Sequence, residues 1–257
     1  MKVRIILLLF LCSYTFCSCR PKSDKQDNGT TVRLLPVLIE NDRNSAKTEI
    51  SYDDKNRITF FKVIEKSPGL LVITNEIIYK KDSFVIKYKR KEGSEKEYSR
   101  IMYCTNNSIN VISNMDESMP EYFVINDKNQ LSENKAVFDN MVAGQKFEYD
   151  EKGRLVKVAD FYSETDISGF VKCVYPKEKH INALSHINAP DWLLTYLFNI
   201  SVSYYSSVKS WRASSSSNGV DYSYSYNDEG YPVSVLSRIV GAKGHTVTLN
   251  ITYTEAK

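Results

Sequence analysis

A short turn sequence recurs along this chain, and it constrains the fold more than any other feature. The clearest copy is Tyr149-Asp150-Glu151-Lys152-Gly153-Arg154-Leu155, and near-copies occupy Tyr52–Ile58 and Tyr226–Pro232. Degenerate copies begin at positions 79, 103, 125 and 175, so the six frames between 52 and 175 are spaced by 22 to 27 residues. That spacing fits two strands and two turns, which is one hairpin step of an antiparallel meander.

The residue types within the frame explain why it would form a turn. Asp or Asn at the first turn position accepts hydrogen bonds from backbone amides two residues on. Gly or Asn at the fourth position suits the left-handed conformation of a type I turn followed by a bulge. The flanking Tyr and Leu or Ile are expected to pair at the hairpin end. The residues predicted for these structural roles are Asp53, Asn56, Asp150, Gly153, Asn227 and Gly230.

The segments between the turns alternate with a period of two. Phe84, Ile86 and Tyr88 alternate with polar or smaller neighbours, as do the residues of 220–226 and 247–253. Such alternation is typical of strands with one buried face. With 42% apolar and 25% charged residues the composition is that of an ordinary globular protein. We therefore predict one all-β domain over 32–257, an antiparallel meander of about 12–16 strands curled into a barrel or half-barrel.

One segment, residues 176–219, interrupts the rhythm. Pro190 followed by Asp191–Phe198 predicts a short helix near 190–198. Apolar residues nearly encircle this helix, so we expect it to be buried across an open end or on the concave side of the sheet. Two roles remain open for it: a plug that closes the core, or a lid that gates a ligand.

The N-terminus predicts export. Lys2 and Arg4 precede an apolar run over 5–11 that is too short to span a membrane, as in a secretory signal peptide. Phe16-Cys17-Ser18-Cys19 resembles a bacterial lipobox, which predicts a signal peptide over 1–18 and lipidation of Cys19, with plain secretion as the alternative. Residues 19–31 then form a polar, flexible stalk. We expect anchoring at the bacterial outer membrane, with the periplasmic and surface faces both open.

The lipobox, the polar stalk and the repeated hairpin frames together resemble a family of bacterial lipoproteins, a domain of unknown function with a porin-like fold. The resemblance runs over roughly 32–257 and includes the final element Tyr226–Pro232. It implies a curled antiparallel meander with no established activity, and it transfers no catalytic residue. A weaker similarity to the YD repeats of large secreted wrapping proteins rests on Tyr149–Leu155.

The sequence offers little that points to catalysis. His180, His186 and His245 lack metal-binding spacing, and no nucleophile elbow, P-loop or dinucleotide fingerprint is present. We expect no metal and no cofactor. Cys104 and Cys173 are expected to be buried small hydrophobic residues, with a disulfide between them left open. A net charge of +3 gives no basic excess for nucleic acid.

We therefore predict a non-enzymatic binding or scaffold protein with a glycan, lipid or protein partner. Aromatic rings stack on flat ligands, and the candidate contacts are Trp192, Trp211, Tyr222 and Tyr224. The alternative is a carboxylate-based hydrolase of envelope or glycan polymers, although the sequence does not distinguish its carboxylates; a structural assembly component is a third option. A membrane-spanning barrel is disfavoured because charged residues interrupt the predicted strands: Lys62, Lys87, Lys89, Arg100, Lys157 and Lys172.

Overall fold

The computed structural model describes residues 32–43, 45–66, 69–93, 96–105, 109–113, 121–138, 141–163, 166–175, 181–198, 207–212, 219–240 and 246–257. The proposed signal peptide, the stalk and Cys19 lie outside these residues, as do His180 and His245. Residues 207–212, which include Trp211, are described by their backbone only.

Within this part of the chain there are sixteen strands and one helix. They are β1 Leu34–Asn41, β2 Lys47–Tyr52, β3 Ile58–Glu65, β4 Leu71–Tyr79, β5 Phe84–Glu92, β6 Lys96–Cys104, β7 Ile109–Ser113, β8 Glu121–Ile125, β9 Leu131–Phe138, β10 Met141–Tyr149, β11 Leu155–Ser163, β12 Asp166–Val174, α1 Asp191–Phe198, β13 Ser207–Arg212, β14 Gly219–Tyr226, β15 Pro232–Ile239 and β16 Thr246–Glu255. The all-β prediction and the single helix near 190–198 are confirmed.

The sixteen strands form one antiparallel sheet in meander order. Chain neighbours pair throughout, except that β7 and β8 are not paired, and β1 pairs with β16. Leu34 lies opposite Glu255 in that pair, so the two ends of the domain meet in the middle of the sheet. The two edges, β7 and β8, come from the middle of the chain. The described sheet is therefore curled but is not a closed barrel.

The hairpin turns follow the chemistry expected from the frame. Asn56, Gly153 and Gly230 have φ angles of 59°, 76° and 83°, in the left-handed region. The register shifts just before each of these turns, at Tyr52 and Tyr149 among others, which is a bulge. The Tyr52–Ile58, Tyr149–Leu155 and Tyr226–Pro232 pairs close the three hairpins.

The first turn residue holds the loop through its side chain. The Asp150 Oδ1 atom accepts hydrogen bonds from the backbone N–H groups of Lys152 at 3.0 Å and Arg154 at 2.8 Å. Asp53 does the same for residues 55 and 57. The copy at Tyr79 is different: no residue of 79–85 has a positive φ, and the turn closes through Lys80 N–H to the Ser83 carbonyl at 2.8 Å.

Candidate functional site

The concave side of the sheet is occupied by α1. Trp192 is fully buried and stacks on Phe84, with ring centroids 5.5 Å apart and an interplanar angle of 11°. Phe198 meets Phe61 edge-to-face at 5.1 Å. The buried core around the helix draws side chains from both halves of the sheet, from β1 to β6, from β9 to β12, and from β15 and β16, with two tyrosines of β14 packed against it. This helix therefore fills the space that a curled sheet of this kind would otherwise enclose.

The segment that contains α1 is attached to the turn end of the sheet. Asn188 donates its backbone N–H to the Asn56 carbonyl at 3.0 Å and its side-chain amide to the Lys55 carbonyl at 3.3 Å. The Trp192 N–H donates to the Asn129 carbonyl at 3.2 Å. These carbonyls belong to two different hairpin turns, so the turns hold the helix segment as well as reversing the chain. The contacts favour a plug over a lid.

A polar cluster lies beneath the helix. Arg100 donates a 3.0 Å hydrogen bond from Nη2 to the Tyr196 hydroxyl, which donates in turn to Asn75 Oδ1 at 3.4 Å. The Arg100 guanidinium also lies 4.3 Å from the centroid of the Tyr88 ring. Burial raises the pKa of Tyr196, although the nearby charge of Arg100 opposes the rise. Arg100 therefore faces the interior. It does not contribute to the charge of the outer surface, whereas Lys62, Lys87, Lys89, Lys157 and Lys172 lie on the outer face.

The tyrosine that begins three of the frames, at positions 52, 149 and 175, has a role that the sequence did not reveal. The Tyr149 hydroxyl donates to the Leu131 carbonyl at 2.8 Å, and Tyr175 donates to the Leu155 carbonyl at 3.0 Å. Each acceptor is the first residue of the preceding strand. Tyr52 donates to the carbonyl of Pro36, the third residue of β1, at 2.7 Å, and Tyr253, outside the frames, donates to that of Pro232 at 2.8 Å. The recurrence of Tyr at the first position of the frame was the sequence signal that could have predicted this role.

The sixth residue of the frame connects one hairpin to the next. Arg154 lies over the Tyr175 ring at 4.4 Å, and Arg57 lies over Tyr79 at 4.1 Å. Gln130, at the same frame position, donates its amide to the Gly153 carbonyl at 2.9 Å. The seven residues of the frame thus form the turn, supply a tyrosine that hydrogen bonds to the neighbouring strand, and supply a sixth residue that contacts the next hairpin.

The two arginines also hold the turn carboxylates. Arg154 donates from Nε to Asp150 Oδ2 at 2.7 Å, and Arg57 binds Asp53 with the same distance. Partial burial raises the pKa of each carboxyl. The hydrogen bonds from the arginine side chain and the turn amides, together with the arginine charge, lower that pKa by more, so the net shift is downward. These carboxylates are therefore structural anions.

Of the four aromatic residues predicted as ligand contacts, the three whose side chains the structure describes all face the core. Trp192 has no exposed surface and belongs to the core. Tyr222 and Tyr224 are partly buried and pack against the core on the inner face of β14, with burial raising the pKa of Tyr222. Trp211 lies opposite Phe170 in the β12–β13 register. Alternation along a strand could not identify which face would meet the helix.

Of the cysteines and histidines considered above, the structure describes Cys104, Cys173 and His186. Cys104 and Cys173 are buried as free thiols, and burial raises the pKa of Cys104 to about 12. His186 lies beside the Tyr231 ring, with centroids 5.9 Å apart. The described residues contain no group of His, Cys, Asp or Glu that could hold a metal ion, and no helix among them is long and apolar enough to cross a membrane.

The outer face of β2–β6, opposite the helix, carries lysines that are matched with carboxylates. Lys62 binds Glu49 at 3.1 Å, and Lys87 binds Glu76 at 3.2 Å. Lys47–Glu40 and Lys89–Glu97 are further pairs on this flank. An open groove at its edge is lined by Leu70, Val72, Thr74, Lys89, Lys91, Gly93 and Glu97. The paired side chains on this flank are 30–63% exposed.

Comparison with known proteins identifies a fold resemblance without a family. No family model matches the chain, and no curated protein matches it. Among solved structures, it is similar to a porin-like protein from Bacteroides uniformis, with 13% identity, a TM-score of 0.48, and coverage of 85% of this chain and 96% of that one. A porin-like protein from Bacteroides vulgatus is similar at 10% identity and a TM-score of 0.48, covering 86% and 99%. Its structural neighbours are thus porin-like proteins from Bacteroides.

Proposed function

We propose that this protein is exported, anchored by lipid at Cys19 to the outer membrane, and acts there without catalysis as a binding or scaffold protein. The observation that carries the proposal is the filled interior. Trp192, Leu193 and Ile187 have no exposed surface, and the segment that holds them is hydrogen bonded to the turns. With the concave side occupied, the outer face and the rim are the surfaces left for a partner.

The carboxylates near the turns support a non-enzymatic role over a hydrolase. A glycosidase needs one carboxyl group with a raised pKa to act as general acid. Asp53 and Asp150 have the opposite shift because each is held by an arginine. On the β2–β6 flank, Glu49 and Glu76 pair with lysines on an open surface. None of these four carboxylates lies in an enclosed cleft where water is excluded.

Anchoring is tested by metabolic labelling of cells with an alkyne-bearing fatty acid. We expect label on the wild-type chain and none on Cys19→Ala, since only the modified cysteine would carry acyl chains. Cys17→Ala is the matched control and should keep its label and its place in the outer-membrane fraction. Equal labelling of wild type and Cys19→Ala would refute the anchor.

The absence of catalysis is tested with the purified wild-type protein. Incubated with envelope polysaccharides, it should release no new reducing ends over the level of a heat-denatured sample. Release that survives in the wild type and disappears on heating would refute the non-enzymatic proposal and would favour the hydrolase.

A further inference from the structure

The outer face of β10–β12 differs from the flank formed by β2–β6. Lys146 and Lys172 make no ion pair within the part of the chain that the structure describes, and each ammonium is directed at a phenyl ring instead. Lys146 Nζ lies 5.2 Å from the centroid of Phe161, and Lys172 Nζ lies 5.5 Å from that of Phe170. Lys157 Nζ is also over Phe170 at 5.6 Å, and it shares its charge with Glu148 at 2.6 Å. We call these five lysine and phenylalanine residues the Lys–Phe face.

The rings of this face lie apart from the main core. Phe161 and Ala159 are each 2% exposed, but neither belongs to the cluster of buried side chains around α1. They lie beneath the outward lysines instead. An ammonium over an aromatic ring is attracted by the ring quadrupole and keeps its positive charge available to solvent or to a ligand. The face therefore offers cations held in position by rings.

Two lysines of this face form a row across the strands with Lys209, while Lys146 lies to one side of it, opposite Ala159. Lys157 lies directly opposite Lys172 in the β11–β12 register, and Lys209 takes the position opposite Lys172 on β13. Neighbouring strands are about 4.8 Å apart, so the row has a short and regular spacing. Like charges directly opposite each other destabilise a sheet. A row of like charges lowers the stability of the sheet, and such a cost is typical of positions that serve in ligand binding.

We infer that the Lys–Phe face binds a linear acidic polysaccharide, whose repeated carboxylate or sulfate groups meet the lysine row. This inference rests on the proposed function, because it names the partner of a non-enzymatic envelope protein. The row runs around the curled sheet, perpendicular to the strands. A flexible linear polyanion can follow that curvature, whereas a flat anionic membrane touches only part of it.

Binding of the purified full-length chain in detergent is measured against three probes: polygalacturonate, heparin and neutral dextran. Lys146→Gln/Lys157→Gln/Lys172→Gln is compared with Lys62→Gln/Lys87→Gln/Lys89→Gln, which removes the same number of charges from the β2–β6 flank. We expect the first variant to bind the acidic probes about tenfold more weakly, which corresponds to about 1.4 kcal/mol. The control should bind as wild type does, and added salt should weaken binding by screening.

The single variant Lys172→Glu keeps the test independent of folding, because this side chain is exposed. It should lower affinity for both acidic probes while the thermal midpoint is no lower than that of the wild type, because a glutamate opposite Lys157 also removes a like-charge pair. Equal loss in the two triple variants, equal binding of dextran, or binding to anionic phosphatidylglycerol vesicles in place of the polysaccharides would overturn the inference. Failure to bind the acidic probes would not bear on acylation at Cys19, because the assay uses detergent-solubilised protein. Cleavage of a probe would refute only the non-enzymatic function.

Discussion

The guanidinium of Arg154 lies 4.4 Å from the centroid of the Tyr175 ring. The same guanidinium binds the Asp150 carboxylate, so one side chain connects the β10–β11 turn to the end of β12. Arg57 repeats this arrangement between Asp53 and Tyr79. Two hairpins far apart in the sheet thus use the same arrangement to contact the hairpin that follows.

Replacing Arg154 with Ala should lower the free energy of unfolding by about 1–3 kcal/mol, through loss of a charge-assisted hydrogen bond and a ring contact. Lys in its place should recover only part of the loss, because an ammonium lacks the planar fork. Urea unfolding followed by the fluorescence of buried Trp192 measures both. Lys152→Ala, in the same turn, is the control and should be close to wild type. Equal stability of Arg154→Ala and Lys152→Ala would contradict the link.

Acid should weaken the fold through the turn carboxylates. The pKa of Asp53 and of Asp150 is lowered in the folded state, so their contribution is complete above the unfolded pKa and is lost as the pH falls through the folded one. We expect stability to fall below about pH 4. The Asp53→Asn/Asp150→Asn variant should start lower and fall less steeply in that range. Asp228→Asn, at an exposed position in the third turn, should keep the wild-type slope; equal slopes in all three proteins would be inconsistent with this account.

Gly144 should not tolerate a side chain. A Cβ atom at this position would clash with the Asn134 carbonyl oxygen and lie 2.8 Å from the Lys135 Cα atom, so strand β9 would have to move. We expect Gly144→Ala to destabilise the protein by about 1–3 kcal/mol, as overpacking does. Gly69→Ala is a matched control, because a Cβ there meets nothing within 4 Å. Thermal unfolding of the two variants gives the comparison, and similar midpoints would show that the β9–β10 pair is looser than described.

The tyrosine hydroxyls at the strand ends should each stabilise the sheet. Tyr149→Phe leaves the Leu131 carbonyl without its 2.8 Å donor, which we expect to destabilise by about 1 kcal/mol. Tyr122→Phe removes a hydroxyl from a side chain that is 48% exposed and should be neutral. Denaturant midpoints distinguish the two variants. If both variants matched wild type, water would be an equally good partner for that carbonyl.

The two buried thiols should resist alkylation in the native state. Burial raises the pKa of Cys104 to about 12, so almost none of the reactive thiolate is present near neutral pH. We expect iodoacetamide to label Cys104 and Cys173 only after denaturant is added, with no mass change on prior treatment with reductant. Loss of two labels in unreduced, denatured protein would reveal a disulfide instead.

Much of the local structure could be predicted from residue types alone. An Asx side chain followed by Gly or Asn makes its own hydrogen bonds within five residues, so Asp150 and Gly153 form their turn whatever lies around them. Strand alternation likewise follows from side-chain geometry that each segment carries by itself. Pro190 and Asp191 start the helix for equally local reasons. These features account for the correct meander and for the hairpin ends.

The amino-acid sequence by itself determined the turns, the strands and the helix, because their hydrogen bonds join residues close together in the chain. Only the tertiary structure decided which face is inside. Trp192 became core and Arg100 turned inward because α1 occupies the concave side, and nothing within β6 distinguishes its two faces before the helix is there. The pairing of β1 with β16 and the lysine row of β11–β13 arise in the same way, from contacts between segments that the chain brings together only when it folds.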